Sequence, residues 1–189
     1  QGAYDYVEKP FNTEQLLVVV KRAYEHSELL QENVLLKRGD AEDHSMIGQS
    51  QTFRAMLSQL EKVASSNARV MLSGGGGSGK GLAAKTIHNL SSRKASPFII
   101  VNCASSNPNK LEEILFGIEH NEKEFLAGLL EVAHGGTILF DEISELPMDI
   151  QQKLLRCLNE QSFERVNGQS KVRVEFRVIS TTNKNLSLE

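Results

Sequence analysis

The run Gly74-Gly75-Gly76-Gly77-Ser78-Gly79-Lys80-Gly81 constrains the fold more than any other stretch of this chain. Ahead of it, Ala68-Arg69-Val70-Met71-Leu72-Ser73 reads as a short buried strand. After it, Leu82-Ala83-Ala84-Lys85-Thr86-Ile87-His88-Asn89-Leu90 reads as a helix. Strand, glycine loop and helix, in that order, are the context of a phosphate-binding P-loop. Glycine reaches backbone angles that other residues resist, so successive N–H groups can turn toward phosphate oxygens. The start of the following helix adds partial positive charge. Lys80 supplies a mobile charge for the β- and γ-phosphates. The competing reading, a flexible glycine linker that happens to hold a lysine, leaves the flanking strand and helix unexplained.

A second stretch completes the site. Gly135-Gly136-Thr137-Ile138-Leu139-Phe140-Asp141-Glu142 is an apolar strand that ends in two carboxylates. Alone, it reads more readily as a buried strand running into a solvated acidic turn. Beside a P-loop, Asp141 would hold the Mg²⁺ that bridges the phosphates, through water or directly, and Glu142 would polarise the water that attacks the γ-phosphate. The predicted nucleotide-binding set is Gly74, Gly75, Gly76, Gly77, Ser78, Gly79, Lys80, Gly81 and Leu82 with Asp141, and the expected cofactors are ATP and Mg²⁺.

The 189 residues, 40% hydrophobic and 24% charged, suffice for one sizeable core with residues to spare. A net charge of −3 gives no overall basic field of the nucleic-acid-binding kind. Cys103 and Cys157 form no disulfide framework and have no metal-ligand spacing, which fits a reducing cytoplasm. No apolar run reaches the ~18 residues of a membrane span, and no stretch of the sequence reads as a signal peptide. The expected location is therefore cytoplasmic, with no membrane partner. The chain opens on Gln1 without a methionine and stops just past a predicted strand, so both ends read as cut from a longer protein.

Residues 1–12, Gln-Gly-Ala-Tyr-Asp-Tyr-Val-Glu-Lys-Pro-Phe-Asn, read as a short strand ending in a Lys-Pro turn. This stretch resembles the last strand of a two-component receiver domain. The resemblance makes Lys9 a phosphoryl contact and Tyr6 the aromatic switch, and it puts the phospho-acceptor aspartate upstream of this chain. An arbitrary strand and turn is the alternative. The pattern over 13–38 predicts one helix, with Thr13 as N-cap. Leu16, Val20, Ala23, Ser27, Leu30 and Val34 recur in steps of four and three, a weak coiled-coil seam that would pair two chains or else pack within its own domain. Gly39-Asp40-Ala41-Glu42-Asp43 is a polar break. The expected divisions are 1–12 as the end of a receiver domain, 13–40 as its last helix and a linker helix, and 41–189 as an α/β core.

From Met46 onward helices and strands alternate, which predicts a parallel sheet with flanking helices. Phe53 to Ala64 is an amphipathic helix. Pro97 to Asn102 is a strand, and Leu111 to Phe116 and Glu122 to Ala133 are predicted helices. Met148 to Asn159 is a helix with Ile150, Leu154, Leu155 and Leu158 apolar, and Val172 to Thr181 is predicted as one strand.

Over residues 46–189 the chain resembles the AAA+ domain of the NtrC family of sigma-54-dependent activators. The matching blocks are Ile47-Gly48-Gln49-Ser50, the P-loop, Val101-Asn102-Cys103-Ala104, Leu115-Phe116-Gly117, Gly135 to Ile143, Gln152 to Arg156, Phe163-Glu164-Arg165-Val166 and Ser180-Thr181-Thr182-Asn183. Each is weak alone; together and in the family's order they are specific. The resemblance implies a P-loop AAA+ ATPase core, preceded by a long linker helix and the end of a receiver domain. It puts Ile47 and Gly48 in the adenine pocket. It makes Asn102 the residue that holds the catalytic Glu142 away from water until the γ-phosphate is sensed, and Asn183, with Thr182 beside it, the γ-phosphate sensor. A polar residue at the end of a parallel strand points toward the site in any case, and a plain strand or turn cap is the alternative for Asn102 and Asn183. The resemblance further implies a homodimer or higher homo-oligomer and a sensor histidine kinase acting through the receiver. It also implies RNA polymerase as a partner and DNA bound by a C-terminal helix-turn-helix not in this chain. The family's arginine fingers and helical lid would likewise follow Glu189.

Three departures bear on activity. Gly81 stands where most P-loops carry Ser or Thr and this family carries Glu, so no hydroxyl is available there for Mg²⁺. Gly75 and Gly76 replace the family's Glu-Ser pair, and four consecutive glycines lose more entropy on ordering. Between Gly117 and Gly135 the family's Gly-Ala-Phe-Thr-Gly-Ala loop, which grips sigma-54, is absent, as in the NtrX-like branch; the charged Glu122, Lys123 and Glu124 predict a solvated helix instead. Two functions compete: a response regulator whose AAA+ module is a weak ATPase completed by a neighbouring subunit, and a non-hydrolysing DNA-binding regulator in which nucleotide only controls assembly. Small-molecule phosphotransfer fits less well, since nothing resembles an acceptor site.

Overall fold

The structure, a computed structural model, describes residues 46–104, 108–121 and 124–184. The predicted receiver strand, linker helix and polar break all lie outside these described residues.

The first described helix, α1 (Gln51–Ala64), starts where Ser50 turns the chain: its Oγ accepts the Phe53 N–H at 3.1 Å, an N-cap that the Ser-x-x pattern provides. The P-loop strand β1 (Val70–Ser73) and helix α2 (Lys80–Asn89) follow, then β2 (Phe98–Asn102) and α3 (Pro108–Phe116). A hairpin of β3 (Gly117–Asn121) and β4 (Glu124–Ala127) leads into the single turn α4 (Leu129–Val132). Next come β5 (Thr137–Asp141), a 3-10 turn over Ile143–Glu145, α5 (Met148–Glu160), the ribbon β6 (Ser162–Glu164) and β7 (Lys171–Arg173), and β8 (Arg177–Thr182).

The main sheet has the order β1-β8-β5-β2 with every neighbouring pair parallel. Its two inner strands are buried almost throughout, as parallel strands covered on both faces must be. Side chains alternate across it with period two. Ile138 and Phe140 join Val101, Leu115, Phe116, Leu130, Ile150 and Leu154 in one core, under α3, α4 and α5. Leu139 and Ile179 join Leu60, Ala84 and Ile87 in the other, under α1 and α2. No described helix is long and apolar enough to cross a membrane.

Two predicted elements take other forms. The described part of the segment expected as a helix from Glu122 to Ala133 is β4 and one helical turn, with β4 completing the β3–β4 hairpin. Its backbone groups bond at a distance rather than locally: Glu119 N–H donates to Val166 O, and Val166 N–H to Gly117 O, each at 3.0 Å. This tertiary pairing overrides local helix propensity. The strand expected over Val172–Thr181 is two strands of different sheets. Between them Val174 N–H donates to Gln161 O at 3.0 Å, and Glu175 O accepts the Gly135 N–H at 2.7 Å. β8 begins at Arg177, which is buried, and its guanidinium donates to Val63 O (2.8 Å) and Ala64 O (3.2 Å) at the last turn of α1. A cation at the carbonyl end of a helix is favourably placed.

Candidate functional site

The strands' C-terminal ends carry Ser73, Asn102, Asp141 and Thr182, the edge at which open parallel sheets bind ligands. From Ser73 the loop turns into α2. Gly77 (φ 73°) and Gly79 (φ 88°) are left-handed, a conformation that only glycine adopts cheaply. Gly75, Gly76 and Gly81 take no such angle, and a Cβ at any of them would meet nothing within 4 Å. The local backbone therefore requires glycine at Gly77 and Gly79 but tolerates side chains at the other three. Gly74 N–H donates to Thr182 O at 3.2 Å and ties the loop to β8. Lys80, the first residue of α2, donates from Nζ to Gly74 O (2.8 Å) and Gly75 O (3.2 Å), and the same Nζ lies 3.2 Å from the Glu142 carboxylate. Because α2 starts inside the loop, the positive end of its dipole lies there too.

The acidic turn faces this loop from β5. Glu142 holds φ 55° and ψ 57°, a left-handed geometry that costs a non-glycine residue about 1–3 kcal/mol and is found where surrounding contacts over-determine it. Besides Lys80, those contacts come from the end of β8 and the residue after it. Glu142 N–H donates to Thr181 Oγ1 at 3.0 Å, and the Glu142 carboxylate accepts the Asn183 N–H at 2.8 Å. The Thr181 hydroxyl donates to Asp141 Oδ1. Thr182 Oγ1 lies 3.1 Å from Ser144 Oγ and accepts the Lys184 N–H at 3.1 Å.

Lys80, Asp141, Glu142, Thr182 and Asn183 thus gather at one sheet edge, Asn183 through its backbone. Asn102 is placed differently. Its Oδ1 accepts the Ala104 N–H at 3.0 Å, a cap on the strand end, while Glu142 is held by Lys80 and Asn183. Ile47 is 90% exposed, and Gly48 lies so close beneath the Phe53 ring that a Cβ would stand 2.6 Å from it. Ser78 lies within the loop, where its N–H donates to Gly75 O at 3.3 Å, and Leu82 is in the first turn of α2. Sequence reasoning missed Thr181 and Ser144. Thr181 lay inside a singled-out block, but which of its two threonines faces Asp141 depends on strand register.

Cys103 is buried next to this turn, its N–H donating to Asp141 O at 2.9 Å. Burial first, then the negative charges of Asp141 and Glu142, push its thiol up to about 12, so it is an inert packing residue rather than a nucleophile. Among the described residues, no group of three or more His, Cys, Asp or Glu could cage a metal. One or two carboxylates beside a phosphate cradle are the donor set that suits Mg²⁺, which keeps water and phosphate oxygens as its other ligands. The residues fit a nucleotide with its metal, apart from the hydroxyl that Gly81 does not offer.

The profile of the Sigma-54 interaction domain matches residues 46–189. The nitrogen assimilation regulatory protein NtrX of Azorhizobium caulinodans is 42% identical over 190 residues, covering 100% of this chain and 42% of the relative. The response regulator protein FleR of Pseudomonas aeruginosa is 38% identical over 195 residues, covering 100% of this chain and 39% of its own. The crystal structure of NtrX from Brucella abortus superposes with a TM-score of 0.73 at 41% identity, over 98% of this chain and 41% of that one. The structure of the same protein in complex with ATP gives 0.71 at 41% identity, over 98% and 40%. The chain spans about two fifths of the length of these relatives.

Proposed function

The chain belongs to the Sigma-54 interaction domain family, with NtrX-like response regulators among its relatives, and from that premise we propose that it binds ATP as the AAA+ module of a transcription-controlling response regulator. The observation that carries this reading is the approach of Lys80 Nζ to the Glu142 carboxylate, 3.2 Å, between a P-loop and an acidic turn at one end of a parallel sheet. The ATP complex of the Brucella abortus relative supports it.

In this reading the loop backbone and the start of α2 bind phosphate oxygens, and Lys80 exchanges its carbonyl contacts for the β- and γ-phosphates. Mg²⁺, when bound, neutralises phosphate charge. Asp141 would hold it, through water or directly. Glu142 orients a water and takes its proton, its carboxylate held by the Asn183 N–H, and Asn183 with Thr182 beside it would sense the γ-phosphate. Residues 1–12 would end a receiver domain addressed by a sensor histidine kinase, 13–40 would form a dimerising linker helix, and 41–189 the AAA+ core. The protein would act in the cytoplasm as a homo-oligomer, with RNA polymerase and DNA as partners. The site competes with a second reading, in which nucleotide only sets assembly; Gly81, with no hydroxyl for the metal, favours it.

Lys80→Ala should weaken ATP binding roughly 10–100-fold, the worth of a charge-assisted contact, and leave adenosine untouched. Equal loss for both ligands in a calorimetric titration would refute the P-loop role. Glu142→Gln in the full-length protein should bind ATP normally and lose turnover by roughly 10²–10⁴, since an amide is no base. Turnover by the variant at the wild-type rate would show that Glu142 is not the water-activating group, whereas absence of turnover in the wild type would favour the second reading.

A further inference from the structure

Thr181 is fully buried near the end of β8, and the chemistry above gives its hydroxyl no part. That hydroxyl nevertheless donates to Asp141 Oδ1 and accepts the Glu142 N–H at 3.0 Å. A hydroxyl has one proton to give and lone pairs to receive. Here both capacities are used on adjacent residues, across a turn in which Glu142 is left-handed. The neighbouring contacts grip less. Asn183 N–H reaches only the Glu142 carboxylate, and Thr182 reaches Ser144. Thr181 alone, among the described residues, holds both the Asp141 carboxylate and the Glu142 backbone. A group that orients a metal-binding carboxylate tunes the metal's affinity. With no hydroxyl at Gly81, the direction of Asp141 carries more of that task.

We infer that Thr181 is a positioning residue for the Mg²⁺–ATP site: it aims the Asp141 carboxylate and fixes the left-handed turn that brings Glu142 to Lys80. The inference rests on the nucleotide reading proposed above. The test compares wild type, Thr181→Val, which keeps the shape and loses the hydroxyl, and Thr181→Ser, which keeps the hydroxyl. Hydrogen exchange at the Glu142 amide is followed by NMR without ligand. ATP affinity is measured calorimetrically with Mg²⁺ and with EDTA. In Thr181→Val the Glu142 amide should exchange at least about tenfold faster. Its metal-free ATP affinity should be unchanged, and the tightening by Mg²⁺ should fall roughly tenfold, the worth of one hydrogen bond to a charged group. Thr181→Ser should behave as wild type. Thr181→Ala, which removes the hydroxyl with less bulk, takes the place of Thr181→Val should that variant not fold. Wild-type protection of Glu142 in the hydroxyl-less variant, undiminished tightening by Mg²⁺, equal loss of affinity with and without metal, or no rescue by serine would each overturn the inference. If wild type binds no ATP, the nucleotide reading itself fails, which is seen before any variant is compared.

Discussion

His88 lies near the end of α2, its ring buried, with Nδ1 2.9 Å from Thr137 Oγ1 and the Phe98 ring 5.0 Å away. Burial lowers its pKa most, followed by the positive charges of Lys85 and Arg177; a hydrogen bond with the Ser96 backbone works in the opposite direction. The folded protein therefore resists protonating this ring more than the unfolded chain, whose histidine titrates near 6.5. A lowered pKa in the folded state means stability that is present above the unfolded value and is lost as pH falls through it. Thermal unfolding should show the wild type losing more stability between about pH 7.5 and 5.5 than His88→Asn, which keeps a polar group for Thr137 and has no proton to take up. Parallel pH profiles for the two proteins would show that His88 is not the responsible group. The pairing with Thr137, 49 positions away, was invisible in sequence, where His88 was only a polar residue in a predicted helix.

At the scale of elements, Arg165 ties the β3–β4 hairpin to the body beside the backbone pairing with Val166. Arg165 follows β6, and its guanidinium donates to both Glu131 oxygens (2.9 and 2.7 Å) and to Glu119 (3.3 Å). The same group lies 3.9 Å over the Phe125 ring. Arginine has the planar fork for such a bidentate and stacked arrangement; lysine does not. Its side chain is 12% exposed, which sets its worth between that of a surface pair and a fully buried one. Arg165→Ala should cost roughly 2–3 kcal/mol in urea unfolding by this interpolation. Arg165→Lys should recover less than half of that loss. A loss below about 0.5 kcal/mol for Arg165→Ala would mean the hairpin is held by its backbone pairing with Val166. None of this was legible from the charges around Glu122, which read as one face of a solvated helix, because the deciding partners lie more than thirty positions downstream.

At the scale of the whole molecule, the proposed mode of action turns on the segment between Gly117 and Gly135. In the resembling family the sigma-54-gripping loop presents an aromatic residue and a threonine to the sigma factor. Here Phe125 has no Thr-Gly-Ala after it and lies under Arg165 in a short hairpin. The full-length protein is therefore expected not to open sigma-54 promoters, and to regulate by occupying DNA with the ordinary polymerase. An in vitro transcription reaction with sigma-54 holoenzyme, an enhancer site and ATP checks this. Open complexes that depend on the protein would reverse the conclusion and place the sigma contact elsewhere.

Local chemistry was enough to locate the P-loop, the acidic strand end and the parallel sheet. A glycine run between strand and helix, and an apolar run ending in Asp141-Glu142, each carry their meaning within about ten residues. The strand spacing of the sheet core was legible for the same reason. Only the tertiary structure decided that Asn102 caps its own strand, that Glu142 is held by Lys80 and β8, and that Thr181 rather than Thr182 meets the Asp141 carboxylate. It alone also turned the segment after Gly117 into a hairpin and divided the last predicted strand at Arg177. These outcomes depend on register and on hydrogen bonds between residues tens of positions apart. Side-chain periodicity determines which face a residue takes, but not which distant partner waits there.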